Sequence, residues 1–291
     1  GDSDVSEATS ANQFFLKHEF AIRRLHSLTG ILPLGLYMCV HLATNASMLN
    51  GVQTFQWAVF MIHAPGKLLP LIEWGLIFLP LIFHAGVGVW IARTGRANSS
   101  QYQFTSNRRY SWQRWTGFIA LIYLFLHILH LHGWFHADWW ISSINNVGLG
   151  QFRPYNAGST LADAMNWGYG VIWPPIYLVG VLSCVYHFVN GIWTAGITWG
   201  LWVSPPAQER ATKACVALGV VLTVLSLAAW AGAVLPDDED VQEMRVVEDR
   251  MYENAVKSGM IPAMEHKRSH DDEAKGSDKA AMTESAESPN S

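Results

Sequence analysis

Cysteine is scarce in this chain and forms no motif. The three present (Cys39, Cys184, Cys215) fall inside apolar stretches, with no CxxC pair and no CxxCH. Covalent c-type haem attachment, a zinc knuckle and an iron–sulfur cluster held by this chain alone are thereby excluded, and the three read as small packing residues. Charge is scarce too: Asp, Glu, Lys and Arg make up 14% of the 291 residues, while half are hydrophobic. That scarcity is uneven, because residues 1–236 are strongly apolar whereas 237–291 hold 15 acidic and 7 basic side chains. The first 16 residues are polar and acidic, not basic and then apolar, so a cleavable signal peptide is not expected. Spare amphipathic helices, which a large soluble protein would need to cover its buried ones, are also lacking.

Long apolar runs are what the chain has in excess. Crossing a hydrocarbon layer of about 30 Å takes roughly 20 apolar residues in a helix. Five stretches qualify, at 29–49, 68–92, 115–136, 171–195 and 213–235. The expected fold is therefore all-α, an integral membrane bundle of five transmembrane helices. Its orientation follows from Lys and Arg in the short connections. The segments before the first span and after the second and fourth carry ten of them, against Lys67 alone after the first and Arg153 alone after the third. The N-terminus is expected in the cytoplasm and the C-terminus outside. Residues 1–236 form the membrane domain, and 237–291 read as an acidic, largely disordered tail with a short helix around 240–257. A metal or partner role for the PDDED run, His266 or His270 weighs less than plain solvation.

Four histidines lie deep in those spans. An ionisable ring in hydrocarbon is costly and normally faces a partner inside the bundle. His41 lies 12 residues past Thr29 and His127 lies 12 past Trp115. His84 lies 8 residues before Ala92, and His187 lies 8 before Ala195. At 1.5 Å per residue the first pair sits about 18 Å, and the second about 12 Å, from the Arg-rich ends of their spans. His41 thus matches His127 toward the outside, and His84 matches His187 toward the inside. Matched imidazoles from facing helices are what bis-histidine haem b requires, so two haems at two depths are expected, each ring holding its other N–H against a carbonyl or hydroxyl. Local repeats agree: HAGVGVW at His84 and HFVNGIW at His187 share H-x-x-x-G-[VI]-W, and Thr29-Gly30 and Thr116-Gly117 open the first and third spans. Two helical hairpins forming a four-helix bundle would repeat in this way, with the fifth span outside it.

Other residues carry weaker signals. His130, one turn past His127, is its rival as ligand, and the repeat favours His127. His63 is expected at the outer interface; His26, in RRLHS, could border a propionate or a partner, though a surface role fits equally. Arg23, Arg24 and Arg114 lie at the same level and are candidate propionate partners, with positive-inside anchoring as the plain alternative. Glu73 precedes His84 by 11 residues on the same face, about 16 Å nearer the outside. A carboxyl at that level is a candidate for handling quinone protons, and a snorkelling interfacial Glu is the equal alternative.

The stretches RRLHSLTGILPLGLYMCVHLATN at 23–45, FLPLIFHAGVGVWIA at 78–92, QRWTGFIALIYLFLH at 113–127 and YHFVNGIWTAGITWG at 186–200 resemble the diheme cytochrome b subunit of succinate:menaquinone oxidoreductases. This is the single-chain, five-helix membrane anchor of succinate dehydrogenase and fumarate reductase. The resemblance covers about residues 14–235. It implies His84 and His187 as ligands of the haem nearer the cytoplasm, His41 and His127 as ligands of the distal haem, and Glu73 near a quinone site. Separate flavoprotein and iron–sulfur subunits are implied as partners, the succinate chemistry residing in the former. Electrons would then pass through two b-type haems to menaquinone, or in reverse for fumarate reduction, in a bacterial cytoplasmic membrane and its lipid. No nucleic acid is implied. The tail after 236 departs from the family's pattern. A hydrogenase or formate dehydrogenase cytochrome b, usually with four spans and other His spacing, is the alternative; a histidine-bearing transporter without haem is the third reading.

Overall fold

A computed structural model of the chain describes residues 17–94, 105–134, 138–264 and 267–269. Among them it has helices and no strands, and five helices long and apolar enough to cross a membrane: α1 (Lys17–Asn50), α3 (Gly66–Thr94), α4 (Arg108–His132), α7 (Trp173–Thr198) and α8 (Pro205–Val234). Shorter helices join them: α2 (Val52–His63), α5 (Asp138–Asn145), α6 (Ala157–Asn166) and α9 (Asp238–Lys257). The number of spans is the one expected from the sequence, but their ends differ. Hydropathy marks only the part within hydrocarbon, so α1 and α4 begin earlier than expected, through charged turns bearing Arg23, Arg24 and Arg109. In the other direction α4 stops at His132, because Gly133 takes φ +78° and closes the helix through its N–H on the Ile128 carbonyl at 2.8 Å.

In the windows that qualify as spans, only 6–22% of residues are buried within the protein. Leu36, Val40, Leu76, Leu79, Ile82, Ile122, Val179, Val220 and Val224 instead turn outward. Apolar surface on that scale needs hydrocarbon around it. The spans are also locally widened into π-turns at three places. A π-helical turn runs over Gly30–Gly35, which contains Pro33; a second over Trp74–Phe78 precedes Pro80; a third over Ile128–His132 follows His127. Proline lacks the N–H and crowds the carbonyl four residues back, and a π-turn relieves both faults.

The tightly packed core lies beyond one end of the bundle. Met48, Phe55, Val59, Ala157, Leu161, Ala162, Met165, Trp173, Ala233 and Val241 form one buried cluster, drawn from α1, α2, α6, α7, α8 and α9. Phe60, Tyr155, Tyr252, Ala255 and Ile261 form a second. Residues 238–264 are therefore not the solvated tail expected from their charge. α9 occupies the expected stretch and docks on α2 and α6. Its acids have a local role: Asp237 accepts from the backbone N–H of Glu239 and Asp240, both at 3.0 Å, and Asp240 accepts from the Asp237 N–H at 3.1 Å. This capping box explains the PDDED run without a metal. Glu248, inside the interface, accepts from the N–H groups of Gly158 (2.5 Å) and Ser159 (3.3 Å) and from the Ser159 hydroxyl (2.6 Å), at the N-terminus of α6. Residues 270–291, with His270, and His136 and His266 lie outside the described residues.

Candidate functional site: two histidine pairs inside the bundle

The structure brings His84 on α3 to His187 on α7, ring centroids 6.1 Å apart and planes at 90°. His84 Nδ1 lies 3.0 Å from the His26 carbonyl, and His187 Nδ1 lies 3.1 Å from the Gln113 carbonyl. A carbonyl only accepts, so each Nδ1 carries the proton and each Nε2 keeps its lone pair for a metal. The two arrangements are copies of one another. Each acceptor sits four residues before the glycine of a Thr-Gly pair, and each glycine lies against the histidine ring. A Cβ on Gly30 would come within 2.4 Å of His84 Cε1, and one on Gly117 within 2.9 Å of His187 Cε1. Only glycine lets the rings approach the backbone this closely. Gln113 is itself fixed, donating to the His187 carbonyl at 3.0 Å and accepting from Asn190 Nδ2 at 2.8 Å.

His41 on α1 and His127 on α4 form the second pair, with centroids 5.9 Å apart and planes at 84°. Tyr37 lies along His41 at 5.5 Å, and Tyr123 and Tyr177 flank His127 at 5.6 and 5.5 Å. The Nδ1 of His127 is buried without a hydrogen-bond partner, unlike the anchored rings of the first pair. His130 is occupied elsewhere: it is fully buried, stacked on Trp173 at 3.7 Å, and its Nδ1 meets the Tyr177 hydroxyl at 2.8 Å.

Glu73 lies half-buried where the α3 π-turn begins, within electrostatic reach of Tyr37 and of Lys267 from the C-terminal segment. Burial pushes the Lys267 ammonium down from its usual range and Glu73 opposes the shift. That segment is held in place by Arg268, 2.7 Å from Asp249, and by the Ser269 N–H on Asn156 Oδ1 at 3.1 Å. At the opposite end, Arg23 pairs with Glu19 at 2.7 Å and covers Trp90. Arg24 donates to the Thr198 carbonyl at 3.2 Å between Phe20 and Trp199, and Arg114 donates to the Ala92 carbonyl. These three arginines tie helix ends together on the side of the bundle nearer the His84–His187 pair. Sequence reasoning missed the part played by His26, whose ring stacks on His84 at 4.0 Å, and that of Gln113. The common offset of both from Gly30 and Gly117 was the available signal.

Two neutral imidazoles facing each other at two depths of a membrane-spanning bundle suit the donor set of b-type haem. With ring centres 6.1 and 5.9 Å apart, His84 with His187 and His41 with His127 could each hold such a group between them, where it would supply one-electron chemistry. Fold and site thus define a multi-pass membrane protein of the cytochrome b kind. No protein-family model matches the chain. It is 34% identical over 212 residues to the succinate dehydrogenase cytochrome b558 subunit of Bacillus subtilis (strain 168), covering 72% of this chain and 95% of that protein. The chain belongs to the cytochrome b membrane-anchor subunits of succinate dehydrogenase.

Proposed function

We propose that this subunit carries electrons between an iron–sulfur subunit and menaquinone, with two haem b groups, one ligated by His84 and His187 and the other by His41 and His127. Bound there, haem supplies one-electron transfer at an iron held by two imidazoles. The carrying observation is the pair of ring separations near 6 Å at two depths. The chain's own part is to fix the rings. The His26 and Gln113 carbonyls set the tautomer of one pair, and Tyr37, Tyr123 and Tyr177 wall in the other. The flavoprotein and iron–sulfur subunits dock on the Arg-rich side, taken as the cytoplasmic face of a bacterial inner membrane; the excess of Lys and Arg there supports that sidedness. α9 then lies outside, packed on α2 and α6 at that end of the bundle. Arg23, Arg24 and Arg114 stand at the level where propionates of the inner haem would need cations.

The purified chain is expected to hold two haems, counted from a dithionite-reduced spectrum per polypeptide. Replacing any one of the four histidines by alanine halves that count, and His130→Gln leaves it whole. Retention of both haems in all four alanine variants refutes the ligation.

Glu73, beside the outer pair, is assigned the handling of quinone protons. A positioned acid–base group contributes about 10²- to 10⁴-fold. Glu73→Gln is therefore expected to lower menaquinone-linked turnover of the complex at least tenfold while both haems stay bound. Unchanged turnover returns Glu73 to a snorkelling role at the interface.

A further inference from the structure

On the outer flank of the bundle, with Tyr186 and Asn190 on either side of His187 in its lining, α7 and α8 part to leave a groove of about 510 Å³. Its walls are apolar, with Leu182, Val189, Val220 and Val224 among them, and Arg109 from the start of α4 stands at its mouth. The guanidinium lies 4.3 Å above the ring of Trp193. That ring is fixed, because Trp193 donates to the Gln208 carbonyl at 3.4 Å and its own carbonyl accepts from Trp202 Nε1 at 2.9 Å. Arg109 forms no ion pair with a carboxylate among the described residues; Glu209, the acid at this end of α8, is paired with Lys213 at 2.9 Å.

The dimensions select the occupant. From the level of Trp193 to that of Leu182 is 11 residues of helix, or about 16 Å, which is half of a hydrocarbon layer about 30 Å thick. Trp193, with Trp202 bonded to its carbonyl, stands at the mouth as aromatic side chains do at the headgroup level. A groove one leaflet deep, apolar along its length and cationic where headgroups lie, matches one lipid molecule and no soluble ligand. Guanidinium groups bind phosphate through paired donors, and basic pockets between spans take anionic headgroups.

We propose that this groove is a binding site for an anionic phospholipid of the leaflet on the Arg-rich side, with one acyl chain between α7 and α8 and the phosphate on Arg109. Gly219 lines the wall, and a Cβ there would meet Val189 Cγ1 at an ordinary 3.6 Å, so a longer side chain fills the groove without a clash.

The test uses the full chain in its complex, equilibrated with bilayer discs of equal phosphatidylglycerol and phosphatidylcholine, then washed in detergent. Retained lipid is counted by native mass spectrometry. The wild type is expected to keep phosphatidylglycerol over phosphatidylcholine by about fivefold, the worth of one cation at the headgroup level. Arg109→Gln keeps a lipid but loses the preference, and Gly219→Leu loses both lipids. Inorganic phosphate at millimolar concentration leaves the retained lipid in place. Equal retention in the wild type, a preference unmoved by Arg109→Gln, displacement by free phosphate, or a quinone as the species lost in Gly219→Leu would each overturn the assignment.

Discussion

Gly30→Ala is expected to strip the haem proposed to sit between His84 and His187 and to leave the one proposed at His41 and His127 in place, and Gly117→Ala is expected to strip the same one. A single methyl suffices, since the added carbon would lie 2.4 Å from His84 Cε1 in the first case and 2.9 Å from His187 Cε1 in the second. Neither ring can step aside freely. Each is tethered through Nδ1 to a carbonyl on the same helix as the glycine, so moving away breaks the bond that sets its tautomer. Gly86→Ala, on α3 two residues past His84 and with nothing within 4 Å of the added carbon, is the control that keeps both haems. Haem per polypeptide, with far-ultraviolet dichroism to show that the helices persist, reads the result. A full complement in both Gly30→Ala and Gly117→Ala would mean that the two rings are not held where the structure has them.

The second large effect concerns the attachment of α9 and its dependence on pH. Burial pushes the Glu248 carboxyl up from an ordinary 4.5 to about 7, against the bonds from Ser159 and Gly158, which pull it down. A carboxyl with a raised folded-state value holds its proton when docked and releases it when freed. Its contribution to docking is thus fully present below pH 4.5 and is lost as pH rises through about 7. Over that window the loss amounts to about 3 kcal/mol, at 1.36 kcal/mol per unit. Amide exchange in residues 238–257 is expected to quicken between pH 5 and 8 beyond its intrinsic chemical rise. Glu248→Gln keeps an acceptor for the α6 N–H groups, cannot ionise, and flattens the profile. An unchanged profile in that variant would assign the pH response to another group.

The membrane part of this architecture was legible because two periodic signals overlap there: apolar length, which counts spans, and histidine depth, which pairs them. His41 with His127 and His84 with His187 could be matched by arithmetic since a helix converts sequence offset into height. What could not be read was lateral contact. For His26 a surface role weighed at least as much as a place beside a propionate or a partner, yet Gly88 on α3 leaves room for its ring, 3.3 Å from where a Cβ would be. α9 was obscured by its acids. Val241, Met244, Glu248, Tyr252 and Ala255 recur at helical spacing, but with a carboxylate in the middle of the stripe the pattern reads as solvated. Only the waiting N–H and hydroxyl groups of α6 make that carboxyl an interior group. Lys267 was invisible for a similar reason, its neighbour Glu73 lying nearly 200 positions away.

The clusters beyond the bundle give the molecule two interiors that answer to different surroundings. The spans rest on whatever replaces lipid around them, so the choice of detergent governs them. The assembly of α2, α6 and α9 packs on the ends of α1, α7 and α8 and carries the titratable Glu248, so it responds to acidity. A purified sample can therefore retain its colour after α9 has come away from α2 and α6, and colour alone is no warrant that the whole molecule is intact.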